Sequence, residues 1–283
     1  MVQLTAAHPF DEAIALTALD ADRFGGHTSQ AYWNMVGPFG GITAATVLQA
    51  VMQHPSRLGE PVALTVNYAS ALVDGPFTVT ARAARTNRST QHWVVEVLQT
   101  SASGADETVL TATVLTAVRR PAWSVSDMPM PAVAVPQHVS LHQRFAPVEW
   151  VNRYEIRAVS GAIPQLWDGS LNSADASSAS LTQLWVRDQP PRPLDFCALA
   201  AYADVFYPRI YLRRASRVAA GTVSMTVYFH ASAADLAALA DGFVLAQARA
   251  QVFHAGFLDQ TAQLWGSSGR LLVTSLQIVY YKE

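Results

Sequence analysis

The stretch that decides the fold is Gly37–Val51, which reads GPFGGITAATVLQAV. It opens with glycine and proline, which favour turns, and continues with residues that are almost all apolar or small. A helix that is apolar on every side has to be buried. We therefore predict a buried helix over this stretch, and other segments of the chain have to pack around it.

Strands are predicted directly after this helix, separated by short runs of turn-forming residues such as Asp74-Gly75-Pro76 and Asn87-Arg88-Ser89. The predicted strands are Leu64–Leu72, Phe77–Ala84, Gln91–Gln99 and Thr108–Val118. One buried helix followed by an antiparallel meander is typical of the hot-dog fold, in which a curved sheet wraps around a central helix.

The second part of the chain repeats this pattern. The segment 121–148 contains several separate prolines, which oppose both helices and central strands, so it is predicted to be a linker that crosses the surface. A second buried helix is predicted over Pro193–Phe206. The predicted strands of this part are Glu149–Arg157, Ser180–Val186, Thr222–His230, Phe243–Ala250, Leu258–Trp265 and Leu271–Tyr281.

The two parts are also similar in sequence. Asp74–Ala83 (DGPFTVTARA) resembles Asp241–Ala250 (DGFVLAQARA), and the closing strands Leu110–Val118 and Leu271–Val279 resemble each other. We interpret this similarity as a tandem duplication, with chance convergence of apolar strands as the alternative.

The predicted architecture is an α+β double hot-dog, with two antiparallel sheets that each wrap around a long central helix. The predicted repeats are residues 1–120 and 149–283, joined by the linker 121–148.

Composition excludes several classes of function. The net charge is −2 and the chain has no cluster of Lys and Arg, so nucleic acid is not an expected partner. The first residues lack the pattern of a secretory signal, and no apolar stretch is long enough to span a bilayer. The single Cys197 provides neither an intrachain disulfide nor a cysteine metal site. We expect a cytoplasmic protein without membrane insertion, metal or other cofactor.

Five motifs carry a resemblance to a known family. They are Phe39-Gly40-Gly41, Gln183–Arg187 (QLWVR), Tyr202-Ala203-Asp204, Gly221–His230 (GTVSMTVYFH) and Gly269–Gln277 (GRLLVTSLQ). With these motifs the chain resembles the TesB-like (thioesterase II type) acyl-CoA thioesterases over nearly its whole length. The resemblance implies a double hot-dog fold, an acyl-CoA substrate and hydrolysis to a free fatty acid and CoA.

The resemblance also implies a set of catalytic residues. In the family an Asp near a helix end, a Thr at the start of the next strand and a Gln on the last strand hold the hydrolytic water. The matching residues here are Asp204, Thr222 and Gln277. The family commonly has an acidic residue and a His two and three positions after its Thr, whereas this chain has Ser224 and Met225. Local charge and substrate binding are therefore expected to differ.

These residue types suit hydrolysis of a thioester. A carboxylate can orient or deprotonate water, and hydroxyl and amide groups can fix it by hydrogen bonds, so no covalent intermediate is required. Backbone N–H groups at a helix N-terminus can stabilise the oxyanion, and Gly40 and Gly41 stand at such a point. Phe39, Ser224 and Asn67 are further candidates for substrate contact, although Phe39 is also expected in the core.

The duplication predicts one site for each chain. Alignment of the closing strands places Thr116 opposite Gln277, and the first helix has no acidic residue between Gly37 and Val51. The catalytic side chains are therefore expected from the C-terminal half, with the glycine turn contributed by the N-terminal half.

Two other functions stay open. An (R)-specific enoyl-CoA hydratase uses the same architecture with an Asp and a His as base and acid, and Asp22 and His27 lie five residues apart, without the Asn-Pro context of that family. A protein that binds acyl-CoA without catalysis is the second alternative. A homo-oligomer, dimeric or higher, is also compatible with the sequence.

Overall fold

The computed structural model describes residues 7–141, 148–172 and 179–283. The helices are α1 (Pro9–Ala13), α2 (Gly40–Met52), α3 (Phe196–Tyr202), α4 (Arg209–Arg213) and α5 (Ala233–Leu239). The strands are β1 (Thr17–Ala18), β2 (Arg23–His27), β3 (Glu60–Tyr68), β4 (Pro76–Thr86), β5 (Thr90–Thr100), β6 (Asp106–Ala117), β7 (Tyr154–Ser160), β8 (Thr182–Asp188), β9 (Ala219–Phe229), β10 (Val244–Arg249), β11 (Phe253–His254), β12 (Phe257–Gly266) and β13 (Leu271–Lys282).

These strands form one antiparallel sheet in the order β1-β2-β4-β5-β6-β3-β9-β13-β12-β10-β8-β7, with β11 paired to β12. The two hot-dog sheets meet where β3 pairs with β9, with Leu64 opposite Val227 and Thr65 opposite Thr226. Their junction removes two strand edges that would otherwise be free to pair with other chains. The predicted double hot-dog is confirmed, and its two sheets are continuous with each other.

Helix α2 lies in the core, as its composition predicts. The side chains of Ala44, Ala45, Val47 and Leu48 are fully buried, although they lie on different sides of the helix. Helix α3 packs against α2, and a Cβ built on Gly41 would lie 2.6 Å from the carbonyl oxygen of Ala201. Glycine therefore allows the two helix backbones to approach each other closely.

The observed elements differ from the predicted ones in their bounds. The strand predicted over Leu64–Leu72 lies at Glu60–Tyr68, four residues earlier. Helix α3 is shorter than the predicted Pro193–Phe206, because Asp195 caps its first turn by accepting a hydrogen bond from the N–H of Ala198 at 2.8 Å. The predicted strand Glu149–Arg157 begins as a 3₁₀ helix over Glu149–Arg153, and β7 follows it.

A β-bulge occurs at the corresponding point of each half. In β3 the pairing with β6 skips Val62, and in β9 the pairing with β13 skips Val223. When the two bulges are superposed, Pro61 coincides with Thr222. A shared irregularity of the backbone supports the tandem duplication independently of side-chain similarity.

The bulges also correct the alignment of the closing strands. When the two halves are aligned on their bulges, Gln277 corresponds to Val114, and Val279 corresponds to Thr116. The sequence alignment was wrong by two residues, because a shift of two leaves the alternation of buried and exposed positions unchanged. The expected asymmetry remains, since neither proline nor valine offers a polar side chain where the C-terminal half has Thr222 and Gln277.

Part of the predicted linker lies against the outer face of the C-terminal strands. The indole nitrogen of Trp185 donates to the carbonyl of Ala134 at 2.9 Å, and that of Trp265 donates to Met128 at 3.5 Å. These two rings and Leu245 form a small apolar cluster outside the main core. Residues 142–147 of the linker lie outside the described residues, and the predicted domain limits stay a prediction.

Candidate active site

The structure brings Asp204, Thr222 and Gln277 together. Asp204 follows the end of α3, Thr222 lies on β9 and Gln277 lies on β13. The side-chain nitrogen of Gln277 donates to Oδ1 of Asp204 at 3.0 Å, and the hydroxyl of Thr222 donates to Oε1 of Gln277 at 3.3 Å. The three side chains form one hydrogen-bonded series that ends at the carboxyl group.

The bulge in β9 turns Thr222 towards this site. Met225 faces the core and Ser224 faces outward, so regular alternation would also direct Thr222 outward. Because the bulge adds Val223 to the strand, Thr222 pairs with Val279 and shares its core-facing side. Bulges commonly redirect a side chain in this way.

Gln277 is held on several sides. Its side-chain nitrogen lies 3.2 Å from the carbonyl oxygen of Ala203 and 3.2 Å from the sulfur of Met225. The carbonyl of Ala203 belongs to the end of α3, where backbone acceptors have no partner within the helix. Gln277 therefore fixes both the end of the helix and the carboxyl group that follows it.

The N-terminal half closes the site from the other side. A Cβ built on Gly40 would lie only 2.7 Å from Oδ2 of Asp204. The backbone N–H of Gly41 also faces this carboxyl group. The hydroxyl of Tyr68, at the end of β3, donates to the carbonyl of Gly40 at 2.9 Å. The two glycines of the predicted turn thus contact the catalytic carboxyl candidate directly.

Tyr68 is a site residue that sequence reasoning missed. The alternation along β3 indicates only that its ring faces the core, which is the ordinary role of an aromatic residue in a strand. Its hydrogen bond to a helix 28 residues away depends on the tertiary structure. No local motif signals it.

Burial raises the pKa of Asp204 to about 7, and the hydrogen bond from Gln277 and the nearby N–H of Gly41 oppose this rise. Desolvation disfavours the charged form, whereas donors stabilise it. A carboxyl group with a pKa near neutrality can accept a proton from water efficiently at physiological pH. The surroundings of Asp204 therefore suit a general base.

The other predicted contact residues have different surroundings. Phe39 is buried beside Gly40 and stacks on the ring of Trp150 with 4.2 Å between the ring centroids. The hydroxyl of Ser224 donates to the side-chain oxygen of Asn67 at 3.0 Å, on the outer face of the sheet. The structure does not bring Ser224 and Asn67 to the carboxyl group of Asp204.

A second carboxyl group, Asp188 at the end of β8, has a similar pKa. Burial raises its pKa to about 7, and the hydroxyl of Tyr202 faces it. Asp188 is only 1% exposed, whereas Asp204 is partly exposed and adjoins the turn at Gly40. A raised pKa therefore does not identify the base by itself, and the neighbouring donors and access distinguish the two groups.

The alternative pair Asp22 and His27 does not form a joint site. Asp22 instead contacts Nε2 of His54 at 3.0 Å, and Nδ1 of His27 contacts the carbonyl of Thr28 at 2.8 Å. His54 follows the C-cap of α2 as Asp204 follows the C-cap of α3. The position of the N-terminal half that corresponds to Asp204 is therefore a histidine, which pairs with Asp22.

Neither a metal site nor a membrane span is found in the part of the chain that the structure describes. No group of three or more His, Cys, Asp or Glu side chains there is arranged to hold a metal ion. None of the described helices combines the length and the apolar character needed to cross a bilayer.

Solved structures show the same fold. A conserved protein of unknown function with a hot-dog fold from Alicyclobacillus acidocaldarius is 42% identical, with a TM-score of 0.89 over 98% of this chain and 99% of that chain. The acyl-CoA thioesterase II TesB2 from Mycobacterium marinum is 17% identical, with a TM-score of 0.70 over 96% and 98%. The tesB protein from Mycobacterium avium subs paratuberculosis is 16% identical, with a TM-score of 0.73 over 97% and 98%. No curated protein matches the chain.

Family models cover both halves. Residues 29–117 match the acyl-CoA thioesterase N-terminal domain, and residues 127–281 match the acyl-CoA thioesterase C-terminal domain. Together the two ranges span most of the chain, and the site described above lies between them, with Gly40 from the first and Asp204 from the second. The chain belongs to the acyl-CoA thioesterase family.

Proposed function

We propose that the chain hydrolyses acyl-CoA thioesters with a water molecule held and activated by Asp204, Thr222 and Gln277. The observation that carries this proposal is the hydrogen-bonded series that ends at Asp204. Gln277 occupies Oδ1 of the carboxylate, and Oδ2 lies towards the turn at Gly40. The proposal places the hydrolytic water beside Oδ2, between the two halves.

The reaction needs no acyl-enzyme intermediate. The Asp204 carboxylate takes a proton from water as the water oxygen attacks the thioester carbonyl, which forms a tetrahedral oxyanion. The carbon–sulfur bond then breaks, and the proton held by Asp204 passes to the departing CoA sulfur. The products are the free carboxylic acid and CoA. Since Asp204 has to be ionised, the rate should rise with pH through about 7.

The first turn of α2 is the proposed stabiliser of the oxyanion. The N–H groups at the start of a helix lack partners within it and form the positive end of its dipole. Glycine at positions 40 and 41 places no side chain at this end of the helix. Because the N–H of Gly41 faces Asp204, the N–H of Gly40 is the proposed donor to the oxyanion. Such a donor typically contributes a factor of about 10²–10³ to the rate.

A thiol-release assay over a panel of acyl-CoAs tests this proposal. Asp204→Asn should lower kcat by about 10²–10⁴, the range of a general base, and Gln277→Ala should also lower kcat because the carboxylate loses its fixed orientation. Asp188→Asn is the matched control, because Asp188 has the same raised pKa outside the site and its substitution should leave kcat unchanged.

Equal rates for the wild type, Asp204→Asn and Gln277→Ala would refute the site. Binding of acyl-CoA without release of CoA for any chain length would instead identify a binding protein.

A further inference from the structure

The peptide unit between Gly40 and Gly41 is contacted at both ends. Its carbonyl, from Gly40, accepts the hydrogen bond of the Tyr68 hydroxyl at 2.9 Å. Its N–H, from Gly41, faces the carboxyl group of Asp204. The C=O and N–H of a trans peptide point in opposite directions. Tyr68 and Asp204 therefore lie at the two ends of one peptide dipole.

The positions of neighbouring atoms agree with this arrangement. A Cβ built on Gly40 would lie 2.7 Å from Oδ2 of Asp204 and 3.6 Å from the hydroxyl oxygen of Tyr68. Tyr68 is placed by β3, where it pairs with Leu110 of β6. The hydroxyl thus comes from a strand in the middle of the sheet.

The hydrogen bond has two physical effects on the turn. Donation to the carbonyl polarises the peptide, so that its N–H becomes a stronger donor to the carboxylate. The same bond restrains a pair of glycines, whose backbone has more conformational freedom than that of other residues. Both effects favour a turn that is already oriented towards Asp204.

We propose that Tyr68 is a positioning residue that holds the Gly40–Gly41 peptide against the carboxylate of Asp204. The inference rests on the proposed function, because it takes Asp204 as the base. Tyr68 acts through the backbone of α2, and it lies in the N-terminal half whereas Asp204 lies in the C-terminal half.

The groups that face Asp204 determine the direction of the effect. The amide of Gln277 and the N–H of Gly41 lower its pKa, burial raises it, and no charged side chain among the described residues contributes. The rings of Tyr68 and Tyr154 are the titratable neighbours that respond to its charge. Removal of the Tyr68 hydroxyl weakens the Gly41 donor and makes the surroundings less polar, and both changes raise the pKa of Asp204.

The test compares Tyr68→Phe with Tyr228→Phe, a matched control because Tyr228 is half exposed on the outer face of the sheet. For Tyr68→Phe, kcat at pH 7 should fall about 3- to 10-fold, the equivalent of one ordinary hydrogen bond. The acidic limb of the kcat profile should move to higher pH by about half a unit. Tyr228→Phe should change neither quantity.

An unchanged acidic limb in Tyr68→Phe would overturn the inference even if kcat fell, because a purely structural loss lowers the rate equally at every pH. A second readout does not depend on activity. The carboxyl carbon of Asp204 can be titrated by ¹³C NMR and assigned by the loss of its signal in Asp204→Asn. If Asp204→Asn stayed fully active, the proposed function would fail, and the NMR titration of Tyr68→Phe would still decide the role of Tyr68.

Discussion

At the level of single residues, two carboxyl groups link the stability of this protein to pH. Burial raises the pKa of both Asp188 and Asp204 to about 7. Between the ordinary pKa of Asp and this value, the folded protein binds more protons than the unfolded chain. The contribution of these groups to the free energy of unfolding therefore falls as pH rises through this window, opposite to the effect of an ion-paired carboxylate.

Asp188→Asn should relieve part of this cost. At pH 8 the variant should have a free energy of unfolding higher by roughly 1–3 kcal/mol, because it no longer carries a buried charge. At pH 5 the carboxyl group is already neutral in the folded state, so the gain should be smaller. Urea denaturation at the two pH values measures the difference, and a variant less stable than the wild type at pH 8 would contradict the expectation.

The candidate site could be predicted from the sequence only where residue type was sufficient. Asp204, Thr222 and Gln277 match the residue types of a resembling family, and the structure places them in contact. Tyr68 was not predictable, because it acts on a backbone carbonyl that accepts a hydrogen bond from any suitably placed hydroxyl. Ser224 was wrongly expected near the site. Residues two positions apart on a regular strand face the same side, but the bulge at Val223 puts Thr222 and Ser224 on opposite sides of the sheet.

At the level of elements, two adjacent glycines at the contact between α2 and α3 have different neighbours. A Cβ on Gly40 would meet the end of a side chain, Oδ2 of Asp204. A Cβ on Gly41 would meet backbone, the carbonyl oxygen of Ala201, at 2.6 Å. A carboxylate can rotate away, whereas a helix backbone moves only if the packing of both helices changes.

Gly40→Ala and Gly41→Ala should therefore have different effects. Gly40→Ala should displace the carboxylate and lower kcat at least about 10-fold, with little change in thermal stability. Gly41→Ala should lower the free energy of unfolding by about 1–3 kcal/mol, because the added methyl group overpacks the helix contact. Thiol release and thermal unfolding measured on both variants test the distinction, and equal losses of stability would oppose it.

Elements were predicted well where composition alone decides them. The apolar stretch around α2 has only one environment available to it, so its burial follows from its residues. The end of α3 was less predictable, because Ala203 and Asp204 leave the helix to meet Gln277 on a strand more than 70 residues later. The bulge in β9 was not predictable from the alternation of apolar and polar residues. One extra residue moves the side chains beyond it to the opposite face, so the alternation does not continue across the bulge.

At the level of the whole molecule, the pairing of β3 with β9 makes the two repeats one structural unit. Leu64 and Val227 lie directly opposite each other across this junction, and both are fully buried. The helices α2 and α3 also pack across the junction. Separate unfolding of either half would expose both contacts.

The chain should therefore unfold in one cooperative transition. Leu64→Ala in the N-terminal half should destabilise it by about 2–5 kcal/mol, and Val227→Ala in the C-terminal half should destabilise it by a smaller amount. Each substitution should shift the whole transition without splitting it. Calorimetry and circular dichroism should give coincident curves. Two separated transitions in either variant would show that the halves fold independently.

The bulges in β3 and β9 also bear on how the two repeats arose. A backbone irregularity at the same point of both repeats is explained most simply by a single bulge that preceded the duplication. In one repeat the bulge directs Thr222 towards Gln277, and in the other the same position carries Pro61. The two repeats thus share the shape of the main chain at this point but not the chemistry of the side chain that it directs.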